Sequence, residues 1–227
     1  MKIAALISGG KDSIYAAYKA SKESEIVCLI SFKSKRTDSY MFHIPNIHLV
    51  DLQAESMDIP LISLESSGIK EKELRDIEKA LKIAIKEYKI KGVVSGALAS
   101  NYQKERIEKI CSKLKISSIA PLWHIDPKKY IKELIDSNFK IIITGIAAEG
   151  FDESWLGREI NTKAFEELKI LNEKTNFHLG FEGGEAETFV LDCPLFKKRV
   201  IVEEAKKNIE SSCCGQYVIK KARLAKK

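Results

Sequence analysis

Long apolar runs are missing from this chain of 227 residues. A membrane-spanning helix needs roughly 20 consecutive apolar residues, and no segment approaches that length. A secretory signal is not visible either, because the apolar stretch Ile3–Ile7 leads into a glycine turn instead of a small-residue cleavage site. The sequence therefore predicts a cytoplasmic protein with no membrane partner.

Cysteine pairs are also missing. The chain has 5 cysteines but no C-x-x-C spacing, which fits neither a disulfide framework nor a cysteine metal site, so we expect reduced thiols. Repeats, low-complexity linkers and recognisable RNA-binding modules are absent. The net charge of +6 is concentrated in the tail after Lys220, which suits a solvated end or, less commonly, contact with RNA or an acidic protein.

What is present is an alternation of strand-like runs and helical periodicities. The clearest helical repeat, with spacings of three and four, consists of Leu74, Ile77, Leu81, Ile85 and Tyr88. Such alternation predicts an α/β fold with a doubly wound parallel sheet. Near the C-terminus three strand-like runs follow one another, which predicts an antiparallel or mixed sheet. We expect two domains, 1–125 and a smaller α/β domain over 126–227, with a cleft between them.

The most informative segment is Ser8–Ser13, which reads SGGKDS. It lies between a predicted strand and a predicted helix, where backbone N–H groups and the positive end of the helix favour a phosphate. Its glycines let the backbone approach an anion, and its serines and Lys11 add donors. Asp12 is unexpected beside phosphate unless it orients the loop or meets a metal ion. The segment is neither a Walker A loop nor G-x-G-x-x-G.

A second unusual segment is Glu182–Thr188, with three carboxylates and two glycines in seven positions. In a strand, Glu185 and Glu187 would share one face. Converging carboxylates repel one another and need a cation such as Mg²⁺, ammonium or a cationic substrate. A solvated acidic turn is the alternative. The apolar run Phe189–Leu191 places the segment beside the core and favours a functional site.

Other candidates follow predicted strands, where doubly wound sheets bind their ligands. The segment Gly96–Arg106 passes from a strand through small residues into a helix, which Ser100 and Asn101 would also cap. Ser31 and Phe32 end another strand. His43 lies in the loop that follows, although a lone histidine is more often structural.

These motifs resemble a known family. SGGKDS closely resembles the SGGxDS pyrophosphate-binding loop of the N-type ATP pyrophosphatases, the PP-loop superfamily, whose fold is HUP-like. The ordered series is similar to the diphthine–ammonia ligase family from residue 1 to about residue 200, and it reads SGGKDS, MFHIPN, QAE, IPL, GALASNYQKER, PLW and EGGEAETFVLDCPLF.

The resemblance implies an enzyme that amidates diphthine, a modified histidine of elongation factor 2. ATP and ammonium would be consumed, AMP and pyrophosphate released through an acyl-adenylate, and Mg²⁺ would offset phosphate charge. Residues 1–125 would bind ATP, and residues 126–227 would bind the substrate. The alternatives are a tRNA-modifying PP-loop enzyme and a non-catalytic ATP-binding sensor. Nucleic acid is not the expected partner, and a homodimer is left open.

The motifs and the resemblance together give the candidate site. The expected ATP-binding residues are Ser8, Gly9, Gly10, Lys11, Asp12, Ser13, Ser31, Phe32, His43 and Gly96. The expected substrate-binding residues are Ser100, Tyr102, Gln103, Arg106, Glu182, Gly183, Gly184, Glu185 and Glu187. The expected catalytic residues are Lys11, Asp12, Glu185 and Glu187, with Asp12 also as a metal ligand.

Overall fold

Five parallel strands form the first of two sheets. The computed structural model describes residues 1–34, 46–66 and 70–227. The strands of the first sheet are β1 (Lys2–Leu6), β2 (Glu25–Ser34), β3 (Leu61–Ser66), β4 (Gly92–Val94) and β5 (Ser117–Ile119). They lie in the order β3-β2-β1-β4-β5, and each neighbouring pair is parallel. This arrangement confirms the predicted parallel α/β sheet.

Helices cover both faces of this sheet. They are α1 (Lys11–Ser21), α2 (Val50–Met57, after a 3₁₀ turn at Ile47–Leu49), α3 (Lys70–Tyr88) and α4 (Asn101–Leu114). Helices α1 and α2 contribute to one buried apolar cluster, whereas α3 and α4 contribute to a second one. The helical repeat recognised in the sequence buries Ile77 and Leu81 of α3 in that second cluster. The sheet is therefore doubly wound, as predicted.

The second sheet is antiparallel and has four described strands. The chain continues through α5 (Pro127–Asp136), β6 (Lys140–Ala147), a 3₁₀ turn (Glu153–Trp155), α6 (Thr162–Thr175), β7 (Ala186–Asp192), β8 (Lys198–Ser211) and β9 (Cys214–Lys226). The strand order is β7-β6-β9-β8. One edge of this sheet is β7, whose first residues, Ala186–Thr188, are the last three of the acidic segment.

The chain reverses its winding direction between β1 and β4. From β1 it proceeds to β2 and β3 on one side, while β4 and β5 lie on the other side. The carboxyl ends of strands at such a reversal leave a crevice in which α/β proteins bind ligands. The glycine turn follows β1 and Gly96 follows β4, so the topology brings these two predicted segments to the same crevice.

The two sheets share one buried apolar core. A single cluster contains Ile3 of β1, Ile143 of β6 and Phe189 of β7. A buried polar link also joins them, because the Asn46 side chain donates to the carbonyl of Tyr217 (2.9 Å) and accepts from the N–H of Ile219 (2.7 Å). The division at residue 125 stays a prediction.

Two further expectations concern cysteine and membranes. All five cysteines are free thiols, as the spacing predicted. Burial raises the pKa of the Cys28 thiol to about 12, so that thiol behaves as a small packing group. Within the described ranges, no helix combines the length and apolarity that a membrane crossing requires.

Candidate active site

A cleft of about 580 Å³ lies at the carboxyl ends of β1 and β4. Both unusual sequence motifs contribute to its walls. The glycine turn with the start of α1, and the acidic segment with the start of β7, both line the cleft. The motif residues in the walls are Ser8, Gly10, Lys11, Asp12, Ser13, Glu182, Gly183, Gly184, Glu187 and Thr188. The two motifs therefore face a common space.

The glycine turn has the form of an anion site. Gly9 adopts a φ of +86°, which favours glycine. The hydroxyl of Ser13 accepts from the N–H of Ser8 and donates to the carbonyl of Gly10, each at 3.1 Å, so the turn is held from within. Helix α1 begins directly after the turn. Its N-terminal N–H groups and partial positive charge suit a phosphate in the cleft.

The open edge of β7 supports the glycine turn from the second sheet. The N–H of Val190 donates to the carbonyl of Gly9 at 3.0 Å, and the N–H of Lys11 donates to the Thr188 hydroxyl at 3.1 Å. The edge of a sheet presents unpaired backbone groups that can pair with another chain, and here the glycine turn pairs with the N–H of Val190. The phosphate-type turn and the strand after the acidic segment therefore form one structural unit.

Gln53 joins the same two segments from α2. Its side chain is fully buried, and its amide nitrogen donates to the carbonyls of Gly9 (3.1 Å) and Val190 (2.8 Å). A Cβ on Gly9 would lie 3.0 Å from the amide oxygen of Gln53 and 3.1 Å from the ring of Phe189. Glycine is thus required here by close packing as well as by φ.

Gly96 allows β4 to approach the start of α1. A Cβ at this position would lie 2.6 Å from the carbonyl carbon of Asp12 and 2.7 Å from the backbone nitrogen of Ser13. Those distances are far inside van der Waals contact. Gly96 also lines the cleft. Because Gly96 has no side chain, the end of β4 can pack directly against the backbone at the start of α1.

Lys11 is buried and engaged with protein groups. Its Nζ lies 2.8 Å from the carbonyl oxygen of Gly180 and 2.9 Å from Oδ1 of Asp12. It also lies 5.0 Å from the centre of the Phe181 ring, on which a cation is favourable. These contacts supply the partners that a buried charge requires. Lys11 therefore links the glycine turn to Gly180 and Phe181, which directly precede the acidic segment.

Asp12 is held by two side chains. The phenol of Tyr130, on α5, donates to Oδ1 of Asp12 at 2.7 Å, and Nζ of Lys11 lies 2.9 Å from the same oxygen. Burial first, and the Asp12 charge second, raise the pKa of Tyr130 well above its ordinary value, so the phenol remains a donor. The Asp12 side chain is 35% exposed, which leaves its carboxylate accessible from the cleft.

Two of the three glutamates bind backbone N–H groups. One carboxylate oxygen of Glu182 accepts from Ala99 (3.2 Å) and Ser100 (3.0 Å), immediately before α4. This contact satisfies donors at the helix N-terminus and places a negative charge near its positive end. Glu182 therefore links the acidic turn to the segment after β4.

Glu185 braces the acidic turn itself. Its two carboxylate oxygens accept from the N–H groups of His178 (2.8 Å) and Gly183 (2.9 Å). Strand β7 begins at Ala186, so Glu185 lies one residue before the strand and the condition for a strand face shared with Glu187 is not met. The glycine-containing turn continues up to the strand, and Gly184 has a φ of +83°.

The environment of Glu187 differs from that of Glu182 and Glu185. Glu187 follows the start of β7, lines the cleft, and couples electrostatically to Lys11 and Asp12. Burial raises its pKa to about 7; the charge of Lys11 opposes the rise and that of Asp12 adds to it. No hydrogen bond or ion pair reaches this carboxylate from any described residue. Gly145 faces it across the strand pair, where a Cβ would lie 3.0 Å from that of Glu187.

Comparison with known proteins agrees with this arrangement. Residues 1–118 match the family model of the diphthamide synthase N-terminal domain, and residues 126–225 match that of the C-terminal domain. The chain belongs to the diphthamide synthase family. Curated proteins named diphthine–ammonia ligase from Rattus norvegicus and Homo sapiens are 37% and 35% identical over 232 residues, covering 93% of this chain and 86% of each relative.

A solved structure gives a weaker likeness. A chain from Methanocaldococcus jannaschii described as a predicted subunit of tRNA methyltransferase aligns with a TM-score of 0.40 at 16% identity. The alignment covers 86% of this chain and 98% of that one. A similarity this distant adds nothing to the diphthamide synthase assignment.

The remaining candidates lie in several places. Phe32 and Ser100 line the cleft, whereas Ser31 is fully buried and its hydroxyl has no hydrogen-bond partner among the described residues. The guanidinium of Arg106 stacks on the ring of Tyr102 at 3.3 Å, and the described cleft walls include neither. The backbone of Gln103 is part of α4. His43 lies outside the described residues. Their assignments to ATP or substrate stay predictions.

The structure adds residues that the sequence did not single out as part of the site. They are Gln53, Tyr130, Phe181 and Thr188. Gln53 stands in the QAE motif, so a polar residue at a buried helical position was an available signal. Tyr130 gives no local signal, because its partner Asp12 is distant in sequence.

Among the described residues, no group of three or more His, Cys, Asp or Glu side chains lies together as a metal site. Mg²⁺ bound with phosphates keeps several waters and takes only one or two protein carboxylates. Asp12, fixed in orientation and accessible from the cleft, fits that requirement.

Proposed function

We propose that this protein is an ATP-dependent ligase that amidates diphthine on elongation factor 2 to form diphthamide. The curated relatives are named for that ligase activity. The structural observation that supports the proposal is the single cleft shared by the glycine turn and the acidic segment. A ligase of this type must hold a nucleotide and an acceptor carboxylate within bonding distance, and one cleft meets that need.

The nucleotide side of the reaction would use the glycine turn. The turn and the first N–H groups of α1 would hold the polyphosphate of ATP, the Ser8 hydroxyl would add a hydrogen bond, and Ser13 would keep the turn in shape. The substrate carboxylate would attack the α-phosphorus, giving an acyl-adenylate and pyrophosphate. Donors already fixed around the departing pyrophosphate would stabilise its charge without reorganisation.

Mg²⁺ would accompany the nucleotide. Asp12 would hold it together with phosphate oxygens, and the ion would neutralise part of the polyphosphate charge. Tyr130 and Lys11 keep the Asp12 carboxylate in one orientation before the nucleotide arrives. Preorganisation of this kind lowers the cost of assembling the site.

The acceptor side would use the acidic segment. Glu182, Gly183 and Gly184 line the cleft, and the two glycines are exposed, so a long modified side chain would enter beside them. Diphthine carries a trimethylammonium group, for which carboxylates and aromatic faces are suitable partners. Free ammonium would provide the nitrogen in the second step, releasing AMP.

The decisive experiment combines the purified protein, ATP, Mg²⁺, ammonium and diphthine-bearing elongation factor 2. We expect AMP, pyrophosphate and the mass change of a carboxylate becoming an amide, measured by chromatography and intact-protein mass spectrometry. The matched control is elongation factor 2 with unmodified histidine, which should give neither amide nor AMP above background.

Other results would redirect the assignment. AMP formation that depends on tRNA and not on elongation factor 2 would favour the tRNA-modifying alternative. ATP binding without AMP formation under any of these conditions would favour a nucleotide sensor. Either result would contradict the proposed ligase function.

A further inference from the structure

One carboxylate of the acidic segment is available for chemistry. The carboxylates of Glu182 and Glu185 accept hydrogen bonds from backbone N–H groups, so those two side chains stabilise the turn. Glu187 has no such contact within the described structure, yet it lines the cleft next to the glycine turn. Glu187 is half-buried, and a partly desolvated carboxylate without a bonded partner is costly unless a ligand supplies the missing contact.

The proposed function requires a nitrogen nucleophile, and ammonium cannot attack until it loses a proton. We propose that Glu187 binds ammonium in the cleft and accepts its proton, so that ammonia forms beside the activated carboxylate. This assignment rests on the proposed ligase function. It separates Glu187 from Glu185, which the sequence analysis placed together as catalytic, and gives Glu187 the acid–base step while Glu182 and Glu185 hold the turn.

The surroundings of Glu187 suit this step. The charged groups that act on Glu187 are Lys11 and Asp12 on α1, and the uncharged Gly145 of β6 lies opposite it in the strand pair. Lys11 is already paired with Asp12, which limits its repulsion of a second cation. A Cβ on Gly145 would lie 3.0 Å from Cβ and 3.2 Å from Cγ of Glu187, so glycine at this position accommodates the Glu187 side chain.

The proton affinity of this carboxylate supports the same role. Burial raises the pKa of Glu187 to about 7, so the side chain is a stronger base than an exposed glutamate while still ionised in part at neutral pH. A bound polyphosphate would add negative charge nearby and strengthen the base further. Both effects bring Glu187 closer to ammonium in proton affinity.

The step balances in atoms and charge. Ammonium passes one proton to the carboxylate of Glu187, giving ammonia and a neutral carboxylic acid. The ammonia lone pair forms the C–N bond with the acyl carbon, and the bond from that carbon to the AMP oxygen breaks with its electron pair. The new amine nitrogen then loses a second proton to solvent. Glu187 returns its proton to solvent before the next cycle.

The test compares two nucleophiles in the wild-type enzyme and in Glu187→Gln, both with ATP, Mg²⁺ and diphthine-bearing elongation factor 2. Hydroxylamine is largely neutral at neutral pH and needs no deprotonation before it attacks. We expect Glu187→Gln to lose amide formation from ammonium by about 100-fold or more, the usual contribution of a positioned base. Hydroxamate formation should stay within a few-fold of wild type.

A pH series adds a signature that a structural role would not give. Amide formation by Glu187→Gln should keep rising with pH as free ammonia becomes more abundant, while the wild-type rate should level off once Glu187 is ionised. Glu187→Asp, which keeps a shorter carboxylate, should recover part of the ammonium reaction. Glu204→Gln removes an exposed carboxylate from β8 and should match wild type with both nucleophiles.

The contradicting outcomes differ from one another. Equal loss of both products in Glu187→Gln would place the residue in adenylation or folding and overturn the proposal. Unchanged amidation would overturn it as well. If the wild-type enzyme forms AMP and hydroxamate and Glu187→Gln behaves like it, the ligase function is still supported and only the role of Glu187 is overturned. A wild-type enzyme that forms no AMP would overturn the ligase function, and with it the role of Glu187.

Discussion

The phenol of Tyr130 donates a hydrogen bond of 2.7 Å to Oδ1 of Asp12. Asp12 belongs to the glycine turn segment at the N-terminus, whereas Tyr130 lies on α5, after all five strands of the parallel sheet. The orientation of the main carboxylate of the cleft is thus set by a helix far along the chain. The ATP-type motif is complete only when α5 has packed against α1.

Tyr130→Phe should slow AMP formation while leaving the fold in place. The change removes one hydrogen bond to a carboxylate, so we expect about 1–3 kcal/mol less stability. We also expect roughly a tenfold lower rate, since misplacement of a group by a fraction of an ångström is costly. Urea denaturation and AMP release measure the two effects. Tyr88→Phe on α3, far from the cleft, is the control, and equal rates in both variants would contradict the positioning role.

Gly96→Ala should damage both stability and activity. Its added Cβ would lie 2.6 Å from the Asp12 carbonyl carbon, and the contacted atoms are backbone of the Asp12–Ser13 peptide, so no flexible group can move aside. Overpacking of this kind costs about 1–3 kcal/mol. Because α1 must shift away, AMP formation should fall even at temperatures where the variant is folded. A variant as stable and as active as wild type would show that β4 and α1 are not in close contact.

Local sequence patterns were sufficient for much of the fold. Helix α5 begins where local signals indicate a start, because Asp126 accepts from the N–H of Lys129 and Pro127 follows at the first helical position. The glycine turn was recognisable because a strand, two glycines and a helix follow one another in the sequence. Both signals operate over a few residues, where propensity and capping decide the structure.

The partners within the site could not be found in this way. Thr188 meets Lys11 only because the edge of β7 docks on the glycine turn, and no local pattern specifies that docking. The different roles of Glu182, Glu185 and Glu187 depend on where β7 begins, and a one-residue change of register would exchange faces. Sequence reasoning therefore located the motifs but could not assign their hydrogen bonds.

Gln53→Glu should be more destabilising than Gln53→Ala at neutral pH. The amide nitrogen of Gln53 donates to two backbone carbonyls, and a buried carboxylate would present an acceptor to both of them. Loss of the donor in the alanine variant should cost about 1–3 kcal/mol, and the glutamate variant should lose more. Acidification should reduce the difference because a protonated glutamate can donate once. Chemical denaturation at neutral and acidic pH tests this order, and a Gln53→Glu variant as stable as wild type would contradict the buried link.

Glu187 should make the stability of the protein fall as pH rises through a defined window. Its pKa is raised from an ordinary 4.5 to about 7, so within that range the folded state binds a proton that the unfolded state has lost. The unfolding free energy therefore decreases with pH across the window, and the cost of burying the charge is complete above it.

Glu187→Gln removes this cost. Its stability relative to wild type should rise between about pH 4.5 and about pH 8, by at most about 3 kcal/mol. Urea denaturation across that range provides the measurement, and Glu204→Gln, exposed on β8, should show a flat difference. A flat difference for Glu187→Gln would mean that Glu187 is ionised in the folded state as easily as in the unfolded chain, and the burial that favours its role as a base would then be absent.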